Sequence, residues 1–268
     1  MLPDLMFTRR GSGTPLVLLH GIGHRREAWD PVIDRLAENF DVIAPDLSGF
    51  GKSPAFAGEV PYTMENACEH LADQFAVWGI TKPHVVGNSL GGAISLELGS
   101  RGLVSSVTAL SPAGFFGHVG RVQALVPLFL LRLSAFLTPK PVLRFLAGKD
   151  WGRRLIGWVL YTHPERHDAE ETYGDSLALK HATAFERTAM AGVRYGFDRQ
   201  VPVPTTIAWG TKDRILPYAQ SKTARERLPQ ARHVDLPGSG HVPMADDPDL
   251  IVRIIEQTVA EAKASKAA

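Results

Sequence analysis

The sequence has little cysteine, little net charge and no long apolar run. One cysteine, Cys68, is present among 268 residues, which excludes an internal disulfide and, with no cluster of zinc-ligand residues around it, indicates a buried, inert thiol. Lysine and arginine number 29 against 28 aspartate and glutamate, so the net charge of +1 provides no overall field that would attract nucleic acid or an anionic membrane. We therefore expect a small neutral or mildly polar ligand.

No segment has the pattern of a membrane span or a secretion signal. The most apolar stretch, residues 124–137, is interrupted by Pro127 and Arg132 and is too short to cross a bilayer, so we expect it to be buried or to form an apolar surface over a site. The opening "MLPDLMFTRRGSG" lacks a basic segment followed by an apolar run and a cleavage site. These features predict a cytoplasmic protein, and none of them specifies an oligomeric state.

Short apolar runs that alternate with helical patterns indicate the fold class. Continuous apolar runs are typical of parallel strands that helices cover on both faces. The pattern predicts an α/β fold with a mostly parallel sheet flanked by helices. Six such runs begin at Pro15, Asp41, His84, Val104, Thr205 and Arg232.

This alternation stops between Ser111 and Val203. The segment contains helical apolar patterns but no clear buried strand, and a connection of that length without structure of its own would be unusual. We therefore predict a helical cap formed by residues 115–202, inserted into a core formed by residues 1–114 and 203–268.

Ser89 lies where a predicted strand turns into a helix. The stretch "GNSLGG" fits the G-x-S-x-G pattern of a nucleophile elbow in its strand–turn–helix context. Glycines beside the serine allow backbone and helix to approach closely around a turn with unfavourable dihedral angles. The free N–H groups at the helix start, that of Leu90 among them, could stabilise an oxyanion. Taken alone, the motif also fits a turn without chemistry.

Three further stretches place candidate residues at the carboxyl ends of predicted strands, where open α/β sheets bind ligands. The glycines of "LLHGIG" could aim the N–H of Ile22 at the same oxyanion, while His20 is expected to brace the loop. Asp213 follows a strand in "AWGTKDRILP", and His241 follows the last strand in "LPGSGHVPMADDP". The order Ser89, Asp213, His241 is that of a serine triad on this type of fold.

Together with "PDLSGFGKS", these motifs resemble those of the α/β-hydrolase superfamily, in the branch with a helical cap inserted after the sixth strand. The resemblance implies that Ser89 attacks a carbonyl carbon, that His241 transfers the proton, and that Asp213 orients the imidazole. It implies an oxyanion hole formed by Ile22 and Leu90. No cofactor and no metal is predicted.

The main functional prediction is hydrolysis of carboxylic esters of a small to medium apolar substrate. A serine in place of aspartate excludes the alkyl-enzyme chemistry of the family's haloalkane dehalogenases and epoxide hydrolases. Carbon–carbon bond hydrolysis of a vinylogous diketone, with Arg153 or Arg154 meeting an acidic substrate, stays open, as do lactone hydrolysis and a receptor without turnover. The residues predicted to bind substrate are Gly21, Gly23, His24, Phe115, Phe116, Leu216 and Val242.

Overall fold

A computed structural model describes residues 3–58, 60–116 and 120–267 of the protein. Seven strands form one sheet in the order β1-β3-β2-β4-β5-β6-β7, in which β1 runs antiparallel to β3 and the other neighbouring pairs are parallel. The sheet confirms the predicted α/β class. Its strands are β1 (Phe7–Arg10), β2 (Thr14–Leu19), β3 (Phe40–Pro45), β4 (His84–Asn88), β5 (Ser106–Leu110), β6 (Thr205–Gly210) and β7 (Arg232–Leu236).

Burial explains which strands the sequence patterns reveal. Every residue of β3, β4, β5 and β6 is buried, as expected for parallel strands that are covered on both faces. The patterns do not predict β1, because this short strand, "FTRR", lies at the edge of the sheet and has no buried residue.

Helices pack on both faces of the sheet. On one face, α1 (Asp30–Ala37) and α11 (Pro248–Ala267) form a core with inward residues such as Leu16 and Leu18. On the other, α2 (Met64–Val77) and α3 (Leu90–Ser100) pack with the alternate residues, Val17 and Leu19. Because successive strand residues point to opposite faces, one apolar strand supplies both cores. The short helix α9 (Gln220–Arg227) connects β6 to β7, and α10 (Pro243–Asp246) lies between β7 and α11.

Among the described residues, five α-helices lie between β5 and β6, where the sequence predicts a helical segment. We call α4–α8 the helical insertion; it comprises α4 (Gly120–Leu137), α5 (Lys140–Ala147), α6 (Asp150–Gly157), α7 (Ala169–His181) and α8 (Phe185–Arg194). The resemblance implied an insertion after the sixth strand, whereas β5 is the fifth strand along the described chain. Its sequence, "SVTAL", is the one expected before the cap.

We find no single helix in the described ranges with the length and hydropathy needed to cross a membrane. The pair Ala124–Leu137 and Lys140–Ala147 meets the length and composition criteria only jointly, and the two helices are bent by 113° relative to each other.

Two glycines of the elbow motif are required by close backbone packing. A Cβ on Gly87 would lie 2.1 Å from the carbonyl oxygen of Gly91, and a Cβ on Gly91 would lie 2.1 Å from the carbonyl oxygen of Leu19. The glycines therefore let α3 approach β4 and β2, and this approach fixes the position of the residue between them, Ser89.

The variant Gly91→Ala is expected to lower the free energy of unfolding by about 1–3 kcal/mol or more, since overpacking against backbone cannot be relieved by a rotamer change. Chemical denaturation measures the change. The matched control is Gly192→Ala in α8, where an added Cβ meets no atom of the described residues within 4 Å. Alanine's higher helix propensity should leave that variant as stable as the parent or more stable. Equal stability of the two variants would contradict the packing argument.

Candidate active site

Ser89 occupies a strained turn between β4 and α3. Its φ of 54° and ψ of −110° lie in a region that non-glycine residues rarely adopt, at a cost of about 1–3 kcal/mol. Hydrogen bonds maintain the turn: Ser89 N–H donates to the Leu110 carbonyl at 3.0 Å, and the Ser89 carbonyl accepts from Ala113 N–H at 3.0 Å. A strained serine in a strand–turn–helix is the geometry of a nucleophile elbow.

The loop after β2 lies directly beside Ser89. A Cβ built on Gly21 would be 3.3 Å from Ser89 Cβ. His20 braces this loop, as expected, because its Nε2 accepts from Leu47 N–H at 2.9 Å and its Nδ1 lies 2.7 Å from the Gly21 carbonyl. Complete burial lowers the pKa of His20 to about 4, so its ring is neutral near pH 7. A neutral ring with its proton on Nδ1 satisfies both hydrogen bonds.

Asp213 and His241 form a buried pair. Asp213 Oδ2 lies 2.8 Å from His241 Nδ1, and the other carboxylate oxygen, Oδ1, accepts from the N–H groups of Ile215 at 2.9 Å and Leu216 at 2.7 Å. Both side chains are almost fully buried. An ionised carboxylate only accepts hydrogen bonds, so His241 Nδ1 carries the proton and Nε2 has the free lone pair.

Two groups that the sequence motifs do not single out hold His241 in place. Asn88 Nδ2 donates to the His241 carbonyl at 2.8 Å and to the Leu110 carbonyl at 3.1 Å. The Leu160 carbonyl, which follows α6, accepts from His241 N–H at 2.8 Å and from Val242 N–H at 3.2 Å. The elbow motif could have identified Asn88, because this residue occupies the variable position before the elbow serine. Leu160 acts through its backbone carbonyl, which no sequence motif identifies.

Ser89 and His241 both face a cavity of about 560 Å³ between the sheet and the helical insertion. A cavity of this volume suits a small to medium ligand. Predicted residues on its wall are Gly21, Ile22, Gly23, His24, Ser89, His241 and Val242. The helical insertion and the segment after α6 contribute a largely apolar wall that includes Leu128, Leu131, Leu143, Leu146, Ile156, Val159 and Leu179.

The structure places three predicted substrate-binding residues away from this cavity. Phe115 is fully buried and packs against Phe197 and Trp209, with ring centroids 5.9 and 6.3 Å away. Phe116 packs against the same core, and the buried Leu216 contributes its N–H to Asp213. All three follow strand ends, but their side chains turn into the core, a direction that strand position does not reveal.

Leu90 lines a separate cavity of about 360 Å³, to which α2, α3 and α8 contribute. This position does not bear on its predicted role, which involves the backbone N–H. As the first residue of α3, Leu90 has an N–H group with no acceptor within its own helix.

One part of the cavity wall is polar. His24 Nε2 lies 3.1 Å from the Tyr161 hydroxyl and 3.9 Å from Asp175 Oδ2. Asp175 Oδ1 accepts from Arg25 Nε at 2.7 Å, and the rings of Tyr161 and His167 are in contact, with centroids 4.1 Å apart and planes tilted by 47°. Burial raises the pKa of Tyr161, so its hydroxyl stays protonated. Of these residues only His24 is predicted from sequence, because Tyr161, His167 and Asp175 lie far along the chain, in α7 or just before it, and belong to no motif.

Comparison with known proteins gives consistent matches along the chain. The sequence model of the alpha/beta hydrolase family matches residues 16–254. A pimeloyl-[acyl-carrier protein] methyl ester esterase of Aeromonas hydrophila is 31% identical over 94% of this chain and 97% of its own length. A 2-hydroxy-6-oxo-6-(2'-aminophenyl)hexa-2,4-dienoic acid hydrolase of Metapseudomonas resinovorans is 25% identical over 92% of this chain and 84% of its own.

A solved structure extends the comparison to the fold. The thermophilic esterase from Thermogutta terrifontis, with malate bound, superposes with a TM-score of 0.73 at 22% identity. The superposition covers 96% of this chain and 93% of the esterase. At this identity the likeness is one of fold.

Proposed function

We propose, since the chain belongs to the alpha/beta hydrolase family, that it is a serine hydrolase that cleaves carboxylic esters of small to medium apolar molecules. One observation carries the proposal: His241, with Nδ1 bonded to Asp213 at 2.8 Å, faces the same cavity as the strained Ser89. The esterase of Aeromonas hydrophila, at 31% identity, agrees with this chemistry.

In the acylation step, Ser89 Oγ attacks the ester carbonyl carbon while His241 Nε2 accepts the hydroxyl proton. The carbonyl oxygen becomes an oxyanion, which we assign to the N–H groups of Ile22 and Leu90. The tetrahedral intermediate collapses when the carbon–oxygen bond to the alcohol breaks, and His241 gives its proton to that oxygen. Asp213 stabilises the imidazolium that exists between the two transfers.

In the deacylation step, a water molecule attacks the acyl-enzyme as His241 removes a proton from it. Collapse of the second intermediate breaks the bond to Ser89 Oγ, returns the proton to that oxygen and releases the carboxylic acid. The same two N–H groups stabilise the second oxyanion, so no cofactor takes part in the cycle as proposed.

We further propose that residues 115–202 act as a cap over a core of residues 1–114 and 203–268. The position of α4–α8 between β5 and β6, and their share of the cavity wall, support this division. The apolar wall would hold the acyl or alcohol chain. The polar patch formed by His24 and Tyr161 would accommodate a hydroxyl or carbonyl group on it.

Carbon–carbon bond hydrolysis is the second candidate, because two cationic side chains, Arg153 and Arg214, lie on the cavity wall. The Arg153 guanidinium already donates to the Ala147 carbonyl at 2.8 Å, to the Glu165 carbonyl at 3.0 Å and to Asp150 Oδ1 at 2.6 Å. Arg214 donates to the Trp158 carbonyl. The exposed Arg154 pairs with Glu165 at 3.3 Å. Because these guanidinium groups have protein partners, an acidic ring-cleavage product ranks below an apolar ester.

A chain-length series of p-nitrophenyl esters tests the proposal. We expect kcat/KM to rise about fourfold for each added methylene, the value of burying one CH₂ group, until the acyl chain fills the cavity. The variant Leu146→Trp narrows the apolar wall and should move the optimum to shorter chains. Val77→Trp, at an exposed position on α2, is the matched control and should leave the optimum unchanged.

Adding a lactone and a vinylogous diketone to the series separates the candidate reactions. Turnover of the diketone alone would overturn the ester proposal in favour of carbon–carbon hydrolysis. The absence of multiple turnover on every substrate would instead indicate a receptor on the same fold.

A further inference from the structure

Large apolar side chains are exposed along α4. Their spacing of three and four residues places them on one side of the helix, and between 40% and 67% of each side chain is accessible to solvent. Single exposed apolar residues are ordinary, but a continuous row is not. The row consists of Val126, Phe129, Leu130, Leu133, Phe136 and Leu137.

The next two helices continue this exposure. Val142 and Phe145 on α5, and Trp151, Leu155 and Trp158 on and just after α6, are between 44% and 61% exposed. The rings of Phe145 and Trp151 are in contact, with centroids 6.4 Å apart. We call the exposed apolar residues of 126–158 the apolar face. An exposed apolar patch of this kind is typical of a surface that binds another protein or a membrane.

The entrance of the cavity lies on the apolar face. Leu130, Leu155 and Trp158 are each more than half exposed, and the same three side chains line the cavity that contains Ser89. They join α4 and α6 around one opening. A second copy of the chain seated on this face would cover the opening. On a lipid surface the opening would instead face the lipid, in which apolar substrates dissolve.

The charges around the apolar face suit a phospholipid surface. Residues 124–158 contain six Lys or Arg and one acidic residue, Asp150. All four arginines are paired with carboxylates, but Lys140 and Lys149 are exposed, and the Lys149 ammonium lies 5.9 Å from the centre of the Phe145 ring. Trp and Phe beside Lys are typical of helices that lie in the headgroup region.

We propose that the apolar face docks on a phospholipid surface, with α4–α6 in the headgroup region and the cavity entrance turned toward the lipid. Resting on the proposed ester hydrolysis, this assigns the substrates as esters with an acyl chain that partitions into lipid. The 113° bend between α4 and α5 lets both helices lie along a surface. Docking itself does not depend on the reaction.

Flotation with vesicles of phosphatidylcholine and phosphatidylglycerol tests the docking. The full chain carrying Ser89→Ala is used, so that hydrolysis cannot alter the vesicles. We expect it to float with the vesicles, and expect Phe145→Glu combined with Trp151→Glu to lower the partition coefficient about tenfold or more, since two large apolar side chains no longer enter the lipid. Replacing the same two residues with serine should also reduce binding. Because serine adds no negative charge, that loss would come from the missing apolar contact and not from electrostatic repulsion.

Val77→Glu is the matched control, because Val77 is 63% exposed on α2, outside the helical insertion. It should float like the parent. In the otherwise native chain, the Phe145 and Trp151 variants should hydrolyse a soluble short-chain ester at the parent rate, since neither side chain lines the cavity, and this shows that they are folded.

Three results would overturn the docking proposal: no flotation of the parent, equal loss with Val77→Glu, or a dimer in solution that the Phe145 and Trp151 variants dissociate without any vesicle binding. The last would make the face a contact between copies. Flotation by a protein that hydrolyses no ester would instead remove the proposed function and leave docking in place.

Discussion

Replacing Ser89 with alanine is expected to lower kcat/KM for a soluble p-nitrophenyl ester by about 10⁵–10⁶-fold, the loss typical of removing a serine nucleophile. The variant has no hydroxyl to attack the carbonyl, so the acyl-enzyme cannot form. The backbone should keep its conformation, because the φ of 54° is imposed by the packing of α3 against β4 and β2. Steady-state kinetics on purified protein measure the effect.

Ser100→Ala is the matched control for this experiment. Ser100 lies at the opposite end of the same helix, where its hydroxyl donates to the Glu97 carbonyl at 2.9 Å. The activity of Ser100→Ala should equal that of the parent. A fluorophosphonate probe should label the parent and the control, but not Ser89→Ala. Undiminished turnover in Ser89→Ala would contradict the serine mechanism.

The variant Asp213→Asn is expected to reduce kcat by about 10⁴-fold, although it changes only one atom of the side chain. In the parent, Oδ1 accepts from two backbone N–H groups and Oδ2 faces His241. An amide has one oxygen, which the two N–H groups would keep, so its NH₂ group would face His241 Nδ1. That nitrogen must then accept, and the imidazole proton moves to Nε2. With this tautomer, His241 cannot take the proton of Ser89.

Asp235→Asn provides the comparison for this substitution. Asp235 is on β7, is exposed, and pairs with Arg225 at the surface, so its loss should leave kcat unchanged. Unfolding midpoints of both variants show whether either substitution affects the fold. If Asp213→Asn retained the kcat of the parent, the orienting acid would have to be a different residue.

Docking on lipid would connect the proposed ester hydrolysis in the cavity with the apolar face. The apolar stretch at residues 124–137 is expected from sequence either to be buried or to cover a site. In the structure α4 covers the cavity and is not buried as a whole: Leu128 and Leu131 line the cavity, while Leu133 and Phe136 face solvent. One helix thus forms part of both the cavity wall and the apolar face.

What the sequence determines by itself is local or ordered along the chain. Runs of buried Val, Ile and Leu specify the parallel strands, since each strand must be apolar on both faces. "GNSLGG" predicts the elbow, because only glycine allows its close backbone contacts. The assignment of Asp213 and His241 as partners rests on the order of motifs after successive strands, and the structure brings those two side chains into contact.

The tertiary structure alone decides what surrounds these residues. It turns Phe115 into the core, and it brings Asn88 to the His241 carbonyl across 153 positions of sequence. It also unites Tyr161 and Asp175 around His24. The physical reason is that the direction of a side chain beyond a strand end depends on which distant segment packs against it. Backbone groups such as the Leu160 carbonyl have no identity in the sequence at all.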